Sequence, residues 1–412
     1  MPEFLNLTPP VEALDLFMKT WTGPASIKVE HVATESALGR VLAQDIRAPH
    51  PLPPFARSTV DGYAVRAEDT HGATPSLPAY LELAGEVLMG SKTELMLGSS
   101  QTAIVHTGGM IPVGADAVIM LEDTQQVQDA EVEIHKAVAV GENILAEGED
   151  VKAGEVVLRS GTALRPQEMG GLMALGFTKI DVAVRPRVGI LSSGDEVVPP
   201  GVEPNPGQVR DINSYTLAAL VERAGGTPVR RGIIPDDRAE LETAARTSFE
   251  EDDIVLITAG SSVSARDITV EILADLGEPG VLTHGLAIKP GKPTILGLAK
   301  QKPLIGLPGN PVSALVVGGL IIPPILRRYL GMDGEHWYPQ VPARLSVNIA
   351  SQSGREDYQP VRLIHSEGGL LAEPVYGRSN LIFTLVRADG LVLVPAAANG
   401  LPEGEEVLVR LF

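Results

Sequence analysis

The chain has no cysteine among its 412 residues. Disulfides, thiolate metal ligands, iron–sulfur ligation and cysteine nucleophiles are thereby excluded. Aromatic residues are few, at 4%. Positive charge is also scarce: 33 lysines and arginines stand against 52 aspartates and glutamates, a formal net charge of −19. A mean field of that sign repels phosphate, so neither nucleic acid nor an anionic membrane is expected as a partner. No long apolar run is present. The longest, Val312 to Leu326, falls short of the ~20 residues that span a bilayer, and Pro323-Pro324 interrupts it. It reads as a buried helix. The start, Met1-Pro2-Glu3-Phe4, lacks the basic and apolar blocks of a signal peptide, and a soluble, cytoplasmic protein is expected.

What is present suffices for several cores. Hydrophobic residues make up 44%, and at ~150 residues per domain the length predicts two to four domains. Val11, Leu14, Leu16, Phe17 and Trp21 carry helical spacing, and Glu35 to Arg40 reads as a short helix end closed by Gly39. Four prolines in Ala48 to Phe55 enforce an extended connector. From about Tyr80 to Lys136, short alternating runs broken by glycine and proline predict a small β unit. Gln167 to Leu175 reads as a helix ended by Gly176. Residues 182–330 alternate strands and helices, with strands at Arg187 to Leu191, Val229 to Ile234 and Asp253 to Thr258. That rhythm predicts a parallel-rich α/β sheet whose ligands bind at the carboxyl ends of strands. Beyond Tyr338 strands dominate again, with candidates at Ala343 to Ile349, Gln359 to His365, Leu381 to Leu385, Leu391 to Val394 and Val407 to Leu411.

Four groups of residues can carry chemistry. Carboxylates recur at predicted strand ends: Asp195-Glu196, Asp236-Asp237 and Asp267. Singly, each reads as a helix cap or turn residue; together, hard oxygen donors at one sheet edge suit Mg²⁺, with Glu196, Asp236 and Asp267 as the candidate metal set. Thr258-Ala-Gly-Ser-Ser-Val-Ser264 precedes a predicted helix. There Thr258, Gly260 and Ser262 can let a phosphate approach backbone N–H groups, although an ordinary turn reads the same way and no Walker ending follows. Lys289 and Lys292 bracket a Pro-Gly turn and can neutralise an anion as point charges. Close behind, Gly306-Leu-Pro-Gly-Asn-Pro-Val-Ser313 makes a rigid turn in which Asn310 or Ser313 either caps the apolar helix or touches a ligand. Asp61, in Arg57-Ser-Thr-Val-Asp-Gly-Tyr-Ala64, reads by spacing as a turn residue.

Taken together and in this order, Val60-Asp-Gly-Tyr-Ala64, His106-Thr-Gly-Gly109, Gly148-Glu-Asp150, Ser193-Gly-Asp-Glu196, Lys289-Pro-Gly-Lys-Pro293 and the Leu-Pro-Gly-Asn-Pro-Val-Ser string make the chain resemble the family of MoeA and the gephyrin E domain, molybdopterin molybdenumtransferases. The resemblance covers essentially the whole chain. It implies an elongated homodimer of four domains per chain: residues 1–47 with 140–181 as a discontinuous, elongated helical N-terminal domain, 48–139 as a small β domain, 182–330 as a MogA-like α/β domain, and 331–412 as a C-terminal β-barrel-like domain. The implied cleft lies between the α/β domain of one subunit and the small β domain of the other. The implied reaction joins molybdate, or tungstate, to adenylylated molybdopterin with Mg²⁺-assisted release of AMP. Carried over residue by residue, the resemblance points to Asp61, Thr107, Asp150, Glu196, Asp236 and Asp267 as catalytic residues. Lys289 and Lys292 would sit on the substrate's phosphates, and Pro308 and Pro311 under the pterin. It also implies a MogA-like adenylyltransferase and molybdoenzyme maturation proteins as partners.

The sequence departs from the family pattern in three places. Ala259 and Ser264 stand where the family's loop has glycines, Leu145 where members carry an arginine, with Arg57 or Arg266 as candidate replacements, and Phe383 to Asp389 replaces a serine-rich string. A pterin-binding or gephyrin-like scaffold without transferase activity is the alternative reading. A MogA-type adenylyltransferase alone would be much shorter.

Overall fold

The computed structural model describes residues 7–128, 130–259, 263–332 and 338–412, with the backbone alone for 263–267. Helix α1, Pro10–Thr20, starts on a proline at its first turn and buries Ala13 and Phe17 four residues apart. Trp21 follows on the same face, fully buried, and its Nε1 donates to the carbonyl of Gln301 at 2.9 Å. Val11 and Leu16, expected on that face, are exposed. The buried face joins the core of the α/β unit. The neighbouring N-terminal segments are mostly extended. Val29–Ala33 pairs antiparallel with Lys179–Ala183, and Ile46–Arg47 with Val156–Leu158. Helix α2, Pro166–Ala174, packs among them, and Ala37, Leu42, Ile46, Leu164, Leu172 and Val182 share one core. The expected short helix near Glu35 is a single 3-10 turn, Thr34–Ser36. The helical character expected of this region is therefore confined to α1 and α2.

The small β unit is a six-stranded sheet with Gly62–Val65 between Ala117–Met120 and Gln101–Val105. All four residues of Gly62–Val65 are buried. A Cβ on Gly62 would overlap the Ile119 carbonyl, so only glycine lets the two backbones approach here. Asp61 lies in a bend, as its spacing suggested, and Gly62 directly after it opens an interior strand of the sheet.

The α/β unit orders its strands Thr227–Ile234, Arg187–Ser193, Ile254–Ala259, Lys302–Pro308, Ile295–Ala299, Pro279–His284. The first four run parallel, and only Ile295–Ala299 runs antiparallel to its neighbours Lys302–Pro308 and Pro279–His284, which meets the parallel-rich expectation. Alternate residues serve alternate faces. Ile254 and Leu256 join one core with helices α3, Asn213–Arg223, and α6, Pro311–Tyr329. Val255 and Ile257 join the other with α4, Arg238–Glu251, and α5, Val263–Asp275. The chain crosses from one side of Arg187–Ser193 to the other, so the strand order reverses beside Ile254–Ala259. Such a switch point opens a crevice at the strands' carboxyl ends. Helix α6 is apolar over a length that could cross a membrane, but most of its residues are buried inside the protein.

The C-terminal unit closes on itself. Glu356–Ser366 pairs with Gly369–Pro374, and the circuit continues through Gln340–Leu345, Glu406–Leu411 and Gly390–Val394 back to Glu356–Ser366. This is the expected barrel. One expected strand is absent: Leu381 to Leu385 leads into a helical turn, α7, Phe383–Val386. Thr384 and Leu385 are buried while Phe383 and Val386 are exposed, a burial pattern that does not alternate and that no strand satisfies.

Candidate functional site

The Lys-Pro-Gly-Lys-Pro stretch leaves the α/β sheet and joins the barrel. Ile288–Lys289 pairs in parallel with Glu356 and Asp357. Gly291 has φ +120°, and a Cβ there would strike the Val317 side chain, so this turn presses directly on α6. Between the two units opens a cavity of about 580 Å³ lined by Lys289, Lys292, Arg355 and Arg378, with Asn310 and Ser379 beside them. In a chain of net charge −19, four cationic side chains around one cavity reverse the local field. Arg355 is under-bonded: its Nε is buried without a hydrogen-bond partner, and its Nη2 reaches only Gln352 Oε1, at 3.5 Å. A buried guanidinium donor left unpaired is costly, and an anion bound in the cavity would satisfy it. Asn310 does not cap α6 through its side chain; its Nδ2 donates to Ser379 Oγ at 3.0 Å instead. Ser313 also lines the cavity, in the first turn of α6. Pro308 ends a strand and Pro311 begins α6. Between them the Gly309 carbonyl accepts from Asn213 Nδ2 at 2.7 Å, so these prolines shape the loop without being among the residues that line the cavity. Arg355, Arg378 and Ser379 escaped the sequence reading, since nothing local distinguishes a barrel arginine that faces a cavity from one that faces water.

The strand-end carboxylates form a separate neighbourhood. Ser193 Oγ donates to Asp236 Oδ1 at 2.7 Å, and the Asp236 N–H donates to Asp195 Oδ1 at 3.1 Å. Asp237 caps α4, accepting from the N–H groups of Ala239 and Glu240. Glu196 is half-buried in the turn that follows. Thr258 is buried, with its hydroxyl 3.5 Å from the Leu191 carbonyl. Beside it in register, Ser192 holds a buried hydroxyl with no partner. Asp267, expected at a strand end, lies inside α5; its side chain, like all of Gly260 and Ser262, lies outside the described residues. Among the described residues no three His, Asp or Glu side chains come together as a metal site. Glu196 and Asp236 offer hard oxygens of the kind Mg²⁺ takes together with water and substrate phosphate. To that extent their donor chemistry suits the ion.

The third group lies in the small β unit. Asp61 Oδ1 accepts from the Thr107 N–H at 2.7 Å and from its hydroxyl at 3.2 Å. These bonds, the backbone one foremost, hold the Asp61 carboxyl below the usual range, and His106 adds to the effect. His106 places Nδ1 3.8 Å from Asp61 Oδ1 and Nε2 2.9 Å from Glu86 Oε1, a partner the sequence did not indicate. Asp150 is exposed, its N–H donating to the Leu52 carbonyl. Leu145 faces Arg57 across an antiparallel pair. One candidate replacement for the cation absent at position 145 is thus placed on the adjacent strand, where cross-strand side chains are neighbours; the side chain of the other, Arg266, lies outside the described residues. The cavity itself contains none of Asp61, Thr107, Asp150, Glu196 or Asp236. The folding of one chain does not bring all the expected catalytic residues together.

A parallel-rich α/β unit joined to a closed barrel, with a cavity lined by four cationic side chains between them, defines a multidomain protein whose cavity suits a small anion. Comparison with known proteins narrows the class. Residues 8–176 match the family described as MoeA N-terminal region (domain I and II). Residues 189–328 match that described as probable molybdopterin binding domain, and 342–412 the MoeA C-terminal region (domain IV). The chain is similar to the molybdopterin molybdenumtransferase of Haemophilus influenzae, 32% identical over 391 residues that cover 94% of this chain and 95% of that protein. It is 32% identical to the molybdopterin molybdenumtransferase of Bacillus subtilis, over 93% of this chain and 90% of that one. The crystal structure of the molybdopterin biosynthesis MoeA protein of Pyrococcus horikoshii superposes with a TM-score of 0.85 at 34% identity, covering 99% of this chain and all of that one. The chain belongs to the MoeA family.

Proposed function

We propose that this chain is a molybdopterin molybdenumtransferase of molybdenum cofactor biosynthesis. It would join molybdate or tungstate to adenylylated molybdopterin and release AMP, working as a cytoplasmic homodimer. The observation that carries this reading is the cavity at Lys289, Lys292 and Arg355, whose buried Nε lacks a partner in an otherwise acidic protein. Molybdate is a compact dianion with four oxygens. Lysines hold such an ion as point charges, and a guanidinium holds it by directed N–H bonds. The first turn of α6, at Val312 and Ser313, lines the same cavity and adds the positive end of a helix.

The remaining residues then divide by location. Asp61, kept ionised by Thr107, would come from the small β unit of a second copy and face the cleft from outside. That arrangement accounts for its absence from the cavity of its own chain. Glu196 and Asp236, with Asp267, would hold Mg²⁺ at the sheet's switch point; the ion, when bound, neutralises phosphoanhydride charge. Thr258 and the loop after it would face the adenylyl phosphate, Lys292 would orient the pterin phosphate, and Pro308 and Pro311 would keep the Gly309-Asn310 turn rigid under the pterin.

The deciding experiment incubates the purified protein with adenylylated molybdopterin and Mg²⁺, with molybdate, with tungstate or with neither. Release of AMP that depends on the oxyanion is expected. Tight pterin binding without release under any ion would replace this reading with that of a carrier or scaffold.

A further inference from the structure

Lys289 is not free to serve an anion alone. The cationic cavity contains one carboxylate among its lining residues, that of Asp357. The carboxylate is buried, and its Oδ2 lies 2.7 Å from Lys289 Nζ and accepts from the Ser351 hydroxyl at 2.9 Å. The Lys289 side chain remains 48% exposed and lines the cavity together with the buried carboxylate, so an anion that enters can reach its ammonium. Backbone pairing fixes the two residues opposite each other, Lys289 against Asp357, and neither strand can slide to separate them. The neighbouring carboxylate, Glu356, is engaged by the Tyr358 hydroxyl at 2.9 Å. A carboxylate buried this far requires compensation, and Lys289 supplies it. An oxyanion entering the cavity competes for the same ammonium and feels the repulsion of Asp357, which a partly desolvated site screens poorly.

We propose that Asp357 is a positioning residue that fixes Lys289 at the cavity wall and holds oxyanion affinity below what the four cations alone would confer, so that the bound oxyanion can be passed on rather than retained. The inference rests on the oxyanion chemistry proposed above and adds to it a residue that sets how tightly the oxyanion is held.

Full-length protein is titrated with molybdate and with tungstate by calorimetry at fixed salt. Asp357→Asn keeps the shape and the contact with Ser351 but removes the charge. Its Kd is expected to fall ~threefold to tenfold, and in the AMP-release assay KM for the oxyanion should fall while kcat does not rise. Tighter binding is not what a merely damaged structure yields. Ser351→Ala removes the hydroxyl that shares Asp357 Oδ2. The carboxylate then draws harder on Lys289, and Kd should rise; this second variant decides by its sign if Asp357→Asn does not fold. Wild-type binding with an unchanged or raised Kd in Asp357→Asn, or a lowered Kd in Ser351→Ala, overturns the inference and leaves the proposed function standing. If the wild-type protein binds neither oxyanion, the functional reading falls and the inference falls with it.

Discussion

The phenolic hydroxyl of Tyr338 donates to the carbonyl of Gly319 at 3.0 Å and reaches that of Leu320 at 3.4 Å. These are the carbonyls that residues 323 and 324 would serve in a regular helix, and both of those are proline, which has no N–H to give. Arg410 adds a second donor to Gly319 at 3.2 Å and stacks over the Tyr338 ring. Helix α6 thus passes through a double proline because barrel side chains replace the missing backbone donors. Burial pushes the Tyr338 phenol up, so it remains a protonated donor at neutral pH.

Tyr338→Phe should therefore cost about 1 kcal/mol, read as a lowered unfolding midpoint. Pro323→Ala restores an N–H to Gly319, and in that background the same substitution should cost less. Equal losses in both backgrounds would show that Tyr338 contributes through packing alone.

Asp61 and Thr107 make a prediction with a defined sign. The Asp61 carboxyl lies below its usual range because Thr107 donates to its ionised form. It therefore favours the folded state above the ordinary carboxylate range, and that contribution is lost as pH falls through the lowered folded value. Thr107→Val removes the hydroxyl but keeps the N–H, the larger of the two effects. The acid limb of the activity profile should move to higher pH without reaching that of an unperturbed aspartate. Asp61→Asn should lower turnover by at least about a hundredfold while the fold, followed by circular dichroism, is retained. Full activity in Asp61→Asn would remove this residue from the reaction.

Arg355→Lys keeps the charge and loses the planar donor set. If the unpaired Nε marks the oxyanion's place, affinity for molybdate should fall at least about tenfold, with little change in thermal stability in the absence of ligand. Unchanged affinity would place the ion elsewhere in the cavity.

Much of the architecture was legible because its signals are local. Arg187 to Leu191 and Asp253 to Thr258 read as buried strands and fall within one residue or two of Arg187–Ser193 and Ile254–Ala259, and the helix expected from Gln167 to Leu175 is α2, closed as expected before Gly176, whose φ is +83°. The error at Leu381 to Leu385 has a local cause as well: a short apolar run does not reveal whether its burial alternates. In α1, periodicity showed that a face exists but not that Ala13, Phe17 and Trp21 would enter the α/β core.

The sequence by itself determined the family, the α/β rhythm and the lysines of the Lys-Pro-Gly-Lys-Pro turn, since each is written in neighbouring residues. Only the tertiary structure decided what surrounds those lysines. Arg355, Asp357, Arg378 and Ser379 line one cavity with Lys289 because a two-residue strand of one unit is hydrogen-bonded to the barrel of another. A contact between residues 68 positions apart depends on how sheets pair in space, which no local pattern of apolar and charged residues encodes.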